Sequence, residues 1–224
     1  KGLEDGETPI ATVEEMAREY VDAIRSRRPS GPYALLGMSF GGTLAFEMAR
    51  RLSAAGHRVS MLCLIDSPIA GHLPHQTFDD SELLSYMSGD DPELAPEALS
   101  SLGEPEHLER FLSTMARRGR LPVGADAERL RRGLALWRSN AEALRRYHPD
   151  PCDQRVTFLA AREKDSHNPE HPYLGWIPVA RRGVSVIQVP GSHRTLLDEP
   201  HVGAVAAIVR DELITAGRLA PEGG

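Results

Sequence analysis

The sequence predicts an α/β fold built on parallel strands, and three observations carry that prediction. Short apolar runs alternate with amphipathic helical patterns, each of the first two runs is followed by a turn signal, and Gly37-Met38-Ser39-Phe40-Gly41 sits where one run turns into a helix. At 224 residues the chain is long enough to bury a core without a disulfide or structural metal, so one domain with a large insertion is expected over residues 1–224.

The elements follow in order. From Thr12 the sequence reads TVEEMAREYVDAIRSRR, with a capping box from Thr12 to Glu15 and apolar Val13, Met16, Ala17, Tyr20, Val21 and Ile24 at helical spacing. Pro29 and the SGP behind Arg28 and Pro29 end it, and residues 33–36 read as a short buried strand. Residues 43–55 form the next helix, with Leu44, Ala45, Met48, Ala49 and Leu52 on one face and Gly56 at a left-handed C-cap. Residues 59–65 are a second buried strand. About ninety residues then pass before the next strand at 156–160, far more than an ordinary crossover requires. Helical patterns at SELLSYM, PEHLERFLSTMARR and AERLRRGLALWRSNAEALRRY fill the gap, so residues 69–150 are expected to be a helical insertion. A strand at 183–189 and a closing helix over 201–217 complete the pattern.

Composition excludes several functions. Hydrophobic residues make up 41% and charged residues 26% of the chain, and no apolar run approaches the ~18 residues of a membrane span. The N-terminus KGLEDGETPI lacks the features of a signal peptide, and a cytoplasmic location is expected. A net charge of −6 with scattered arginines argues against nucleic acid. Of the two cysteines, Cys63 lies inside MLCLI and reads as a small buried hydrophobe. The pairs His72/His75 and His167/His171 lie on proline-interrupted loops without an accompanying ligand set, so no metal site is expected.

The chemistry concentrates at Ser39. A Gly-x-Ser-x-Gly between a buried strand and a helix matches a nucleophile elbow, in which a strained turn lifts the hydroxyl above the sheet. Both glycines, Gly37 and Gly41, are expected to be required because side chains there would collide with the neighbouring strand and helix. The first helical N–H groups and the helix dipole point at any oxyanion formed beside Ser39, with the Phe40 amide as one donor. A serine needs a base and the base an orienting acid. His193, in VPGSHRTLL behind the last strand, occupies the place and order of the base. Two carboxylates compete for the acid: Asp66 at the end of MLCLID and Asp165 after FLAAREKD.

The stretch GPYALLGMSFGGTLAFEMARRLSAAGHRVSMLCLIDSP closely resembles the thioesterase domains that end non-ribosomal peptide synthetases, and VPGSHRTLLDEPHV resembles their histidine motif. The resemblance implies an α/β-hydrolase fold, a Ser39–His193–Asp66 triad with Phe40 N–H in the oxyanion hole, and an acyl-Ser39 intermediate. It favours Asp66 as the acid; type II editing thioesterases, which are similar, use the later strand, so Asp165 is the alternate. It further implies that residues 69–150 are a lid whose large side chains Phe78, Tyr86, Phe111, Trp137 and Tyr147 either line an acyl pocket or pack between helices. No bound cofactor is implied; the substrate arrives on the phosphopantetheine arm of a peptidyl carrier protein, and the domain is expected to be a monomeric part of a larger synthetase. Related domains carry strands before the first helix, one of whose loops gives the second oxyanion N–H. The sequence opens at Lys1 without them, so upstream residues are expected to be missing from it, or the oxyanion hole incomplete.

Overall fold

The computed structural model describes residues 7–69, 79–163 and 173–218. Four strands, β1 (Tyr33–Met38), β2 (Val59–Ile65), β3 (Val156–Ala161) and β4 (Val184–Val189), form one sheet in the order β1-β2-β3-β4. All neighbouring pairs are parallel. The strands therefore present their carboxyl ends along one rim, where the loops behind Met38, Ile65, Ala161 and Val189 emerge side by side. In-register pairing of Met38 with Ile65 and of Ala161 with Val189 aligns those ends closely.

The central strands β2 and β3 are buried on both faces and read as apolar runs. By contrast β1, expected as a fully buried strand, alternates, with Leu35 buried and Leu36 46% exposed, and β4 is half-buried, because these two lie at the edges of the described sheet. On one face Leu35, Leu62, Leu64, Phe158 and Ala160 pack with residues of helices α1 (Val13–Arg27) and α2 (Phe40–Ala54). The opposite face, with Met61, Cys63, Ile65 and Leu159, packs with Val205 and Ala216 of the closing helix α7 (Val202–Arg218). Cys63 is fully buried and free, as is Cys152 but for a sliver, and burial pushes the Cys63 thiol up to about 12.

The helix ends follow the sequence signals. Thr12 caps α1 by accepting the Glu15 N–H at 3.2 Å, and Val13, Met16, Ala17 and Val21 are buried, whereas Tyr20 faces solvent. Helix α2 begins three residues earlier than its apolar periodicity indicates, directly after Ser39, because the glycines that interrupt the pattern are themselves helical. Gly56, with φ +79°, closes it in the left-handed conformation expected there.

By its internal contacts the chain forms two compact units, Lys1–Ile10 with His75–Ala141, and Ala11–Pro74 with Glu142–Gly224. The first is helical. It holds α3 (Asp80–Ser88), a short α4 (Pro96–Leu99), α5 (Glu104–Arg117) and most of α6 (Ala127–Arg146). Leu83, Leu84, Leu94, Leu99, Leu108, Phe111, Met115, Leu130 and Leu134 form its core, with Trp137 packed against them. Phe111 and Trp137 are thus helix-packing side chains. The four-residue α4 was not legible from the periodicity, being a single turn set by Pro96 at the first helical position.

Candidate active site

Ser39 occupies the junction of β1 and α2 with φ 53° and ψ −130°, a conformation that costs a non-glycine residue roughly 1–3 kcal/mol. Two backbone hydrogen bonds hold it there: the Ser39 N–H donates to Ile65 O at 2.9 Å, and the Ser39 carbonyl accepts the Gly42 N–H at 2.9 Å. A β-carbon on Gly37 would lie 2.1 Å from the Gly41 carbonyl oxygen, and one on Gly42 would lie 1.8 Å from Ser67 Oγ. At Gly41, by contrast, nothing lies within 4 Å of such a carbon. The expectation that both glycines of Gly-x-Ser-x-Gly are sterically required is therefore half corrected: the crowded pair is Gly37 and Gly42, because Gly41 projects into open space from the first turn of α2 while Gly42 faces Ser67 and the Gly37 carbonyl.

Asp66 follows β2 and is itself left-handed, with φ 45°. Its N–H donates to Leu159 O at 2.8 Å, and its Oδ1 accepts the Ala161 N–H at 3.1 Å. The other oxygen, Oδ2, lies 2.7 Å from His193 Nδ1. Since a carboxylate only accepts, that ring nitrogen carries the proton and Nε2 is left with its lone pair. Nε2 lies 3.1 Å from Ser39 Oγ. Asp66 and His193 are both buried.

The loop bearing His193 is fastened at both ends. Gly191 has φ +92°, its carbonyl accepts the Glu163 N–H at 3.1 Å, and a β-carbon there would touch the His201 ring at 3.0 Å. Thr195 Oγ1 accepts the Ser192 N–H at 3.0 Å, and the buried Leu196 anchors the turn on the apolar side. Phe40 is the first residue of α2, so its N–H has no acceptor within the helix and lies beside the Ser39 hydroxyl-bearing turn. The structure thus brings Ser39, His193 and Asp66 together in one hydrogen-bonded chain. Asp165, the alternate acid, lies outside the described residues, as do Phe78 and the pairs His72/His75 and His167/His171. Among the described residues no group of three metal-ligating side chains converges, and no helix is long and apolar enough to cross a membrane.

Sequence reasoning missed a second buried polar cluster. Glu47 of α2 is 1% exposed and accepts from Arg50 Nε and Nη2, both at 2.7 Å, and from the Tyr147 hydroxyl at 3.0 Å. Arg51 Nε lies 2.8 Å from Glu47 Oε1 as a charge contact outside hydrogen-bond geometry. Burial, then the neighbouring carboxylate, drive the Tyr147 phenol far above its usual value, so it stays a donor. Tyr147 is in this way a tether to α2. The signal was present as a glutamate three and four residues ahead of two arginines.

A parallel sheet that carries a serine on a strained strand-to-helix turn, with a histidine and an aspartate on neighbouring loops of the same rim, defines the α/β-hydrolase class. Within that class the chain belongs to the thioesterase domain family, whose sequence model matches residues 1–213. Atromentin synthetase invA2 of Paxillus involutus is 30% identical over 231 residues, which cover 97% of this chain and 24% of that protein. The inactive atromentin synthetase invA4 of the same fungus is 29% identical over 97% of this chain. The chain spans about a quarter of the length of these curated relatives. Among solved structures, the four-domain nonribosomal peptide synthetase holo-AB3403, bound to AMP and glycine, superposes over 94% of this chain and 16% of its own with a TM-score of 0.81 and 27% identity. The NocB thioesterase domain in covalent complex with a fluorophosphonate nocardicin G analogue covers 94% of this chain and 79% of its own, with a TM-score of 0.63 and 28% identity.

Proposed function

We propose that this chain releases an acyl or peptidyl product from a carrier-bound thioester by acyl transfer through Ser39. The observation that carries the proposal is the continuous path from Asp66 Oδ2 through the His193 ring to Ser39 Oγ, with steps of 2.7 and 3.1 Å. In the first half-reaction Ser39 Oγ attacks the thioester carbonyl while its proton passes to His193 Nε2. The negative charge on the carbonyl oxygen is met by the Phe40 N–H and the amino end of α2. Collapse of the tetrahedral intermediate breaks the C–S bond, and the thiolate takes the proton from His193, leaving acyl-Ser39. In the second half His193 takes a proton from water, or from an amine or hydroxyl of the acyl chain itself, as that group attacks the acyl carbon. The C–Oγ ester bond then breaks, His193 returns the proton to Ser39 Oγ, and the product is a free acid or a ring. Asp66 keeps the imidazole in the tautomer that accepts and stabilises its charged form, a role worth roughly 10⁴ in turnover in serine proteases.

The multidomain synthetases among its relatives support a phosphopantetheine arm on a peptidyl carrier domain as the source of substrate and natural-product biosynthesis as the setting. The same reading assigns the chain to the cytoplasm and gives residues 69–150 the role of a lid that selects the acyl chain. Within the same fold the rival is a stand-alone editing type II thioesterase or a carboxylesterase with Asp165 as acid, distinguished by replacing Asp66 and Asp165 with Asn separately. A binding module without turnover is the second reading, favoured by the relative named as inactive. A synthetic peptidyl-pantetheine thioester tests the proposal. Free thiol and a linear acid or a ring, identified by mass, are expected from the native chain and not from Ser39→Ala. Tight binding of the thioester without thiol release would instead select the binding module.

A further inference from the structure

Asp66 is held at φ 45°, a left-handed conformation uncommon for a residue other than glycine though less so for aspartate, and its carboxylate must keep one oxygen on the imidazole. The two residues behind it are fixed from two other parts of the sheet unit. Trp176, in the short 3₁₀ turn Leu174–Trp176, is fully buried and donates its indole N–H to Ser67 O at 2.9 Å. Thr43, four residues beyond Ser39 on α2, donates its hydroxyl to Pro68 O at 2.7 Å. The Trp176 ring packs against Phe46 of the same helix, with centroids 4.9 Å apart. Ser67 Oγ donates back toward Ile65 O at 3.1 Å from the space that Gly42 leaves by having no side chain.

These contacts tie the aspartate turn and the serine turn into one piece: α2 carries Ser39 at its start, Thr43 on the Pro68 carbonyl and Phe46 beneath the indole. We infer that Thr43 and Trp176 are positioning residues for the acid, clamping the Ser67 and Pro68 carbonyls so that Asp66 Oδ2 stays aimed at His193 Nδ1. The inference rests on the role proposed above for Asp66. Neither side chain touches a reacting atom. Loss of the clamp is expected to let the turn relax from its left-handed geometry and swing the carboxylate off the ring, while the substrate-binding surfaces are unaltered. A misplacement on the order of 1 Å at a catalytic group costs up to about 10²-fold in rate.

The test combines Thr43→Val and Trp176→Phe, which remove the two donors and keep most of the volume, singly and together. Two quantities are read on the native chain and each variant: kcat and KM for a pantetheine thioester, and the far-downfield proton resonance of the His193 Nδ1–H bond, assigned by its loss in Asp66→Asn. In the folded double variant kcat is expected to fall about tenfold to a hundredfold with KM nearly unchanged, and the resonance to move upfield or broaden away. In the Asp66→Asn background the same two changes are expected to cause no further loss, because the group they aim is already gone. An unchanged resonance in the folded double variant, or an equal loss of kcat with and without the Asp66 carboxylate, would overturn the inference. Should the double variant fail to fold, Thr43→Val alone is read the same way. Native-like turnover by Asp66→Asn would strike the proposed role of Asp66 itself, a separate result, since the resonance reports the clamp without reference to turnover.

Discussion

The turn that carries Ser39 and the helical unit around Leu83 and Leu108 are held by different kinds of contact. Around Ser39 the contacts are short, buried and directional: Gly37 against the Gly41 carbonyl, Gly42 against Ser67, and backbone N–H groups on Ile65 O and Asp66 Oδ1. In the helical unit a leucine core does most of the holding, with a local set of buried hydrogen bonds in which Ser88 Oγ donates to Ser85 O and accepts the Asp91 N–H. Ion pairs there, such as Arg131 with Glu104 at 2.9 Å and Arg118 with Glu93 at 3.1 Å, are exposed. Exposed pairs of that kind are screened by water and contribute little. Steric tightness of the backbone is thus concentrated where a proton has to move between side chains, and the exposed face of the helical unit is expected to tolerate exchange.

Substitutions can break or sharpen that contrast. The largest effect is expected at the elbow. Gly42→Ala must displace Ser67 and should cost about 3 kcal/mol or more, the top of the range for overpacking, with activity lost alongside stability in a denaturant titration. Gly41→Ala, one residue away, meets nothing and should be neutral or stabilising by up to about 1 kcal/mol. Equal damage from both would remove the steric basis given for the turn. Next comes Glu47→Gln, which leaves Arg50 and Arg51 beside a neutral amide. The loss should be about 2–3 kcal/mol by thermal unfolding, below the figure for a fully buried pair because both guanidinium groups reach solvent.

Smaller effects are expected in the helical unit. Asp79 caps α3 by accepting from the Ser81 hydroxyl and the Glu82 N–H, which hold its carboxyl below the usual carboxylate range. A group with a depressed folded pKa stabilises above its unfolded value and loses that contribution as pH falls through the folded one. Asp79→Ala should therefore cost about 1 kcal/mol at neutral pH and progressively less as acid protonates the native cap, checked by unfolding curves across that range. Arg131→Ala, which removes exposed pairs to Glu104 and Glu128, should leave the melting temperature unchanged within error.

Legibility in the sequence followed the same division. The central strands were readable because burial on both faces makes them continuous apolar runs, and β2 matched to the residue; β1 and β4 were found as apolar runs although each has exposed positions. Ser39 and His193 were readable because their neighbours, glycines and proline, are punctuation that a helix or strand interior avoids. Asp66 was not separable from Asp165 on topology alone, since each follows a parallel strand; the family resemblance favoured Asp66, whose path to His193 the structure shows, while Asp165 lies outside the described residues. Trp176, Thr43 and Gly42 were not legible at all. Their contacts join segments far apart in the chain, and a lone tryptophan, threonine or glycine carries no periodic signal. Tyr147 was counted among the aromatic side chains of the helical insertion, and only the hydrogen bond to Glu47 reveals it as a tether.

Intact-mass analysis after incubation with a fluorophosphonate probes the central claim most directly, because phosphonylation needs a serine hydroxyl made nucleophilic by its neighbours and no particular acyl chain. A single adduct located on Ser39, absent in Ser39→Ala and strongly slowed in His193→Ala, is the predicted result. A folded native chain that remains unmodified, or one labelled equally well without His193, would contradict the account.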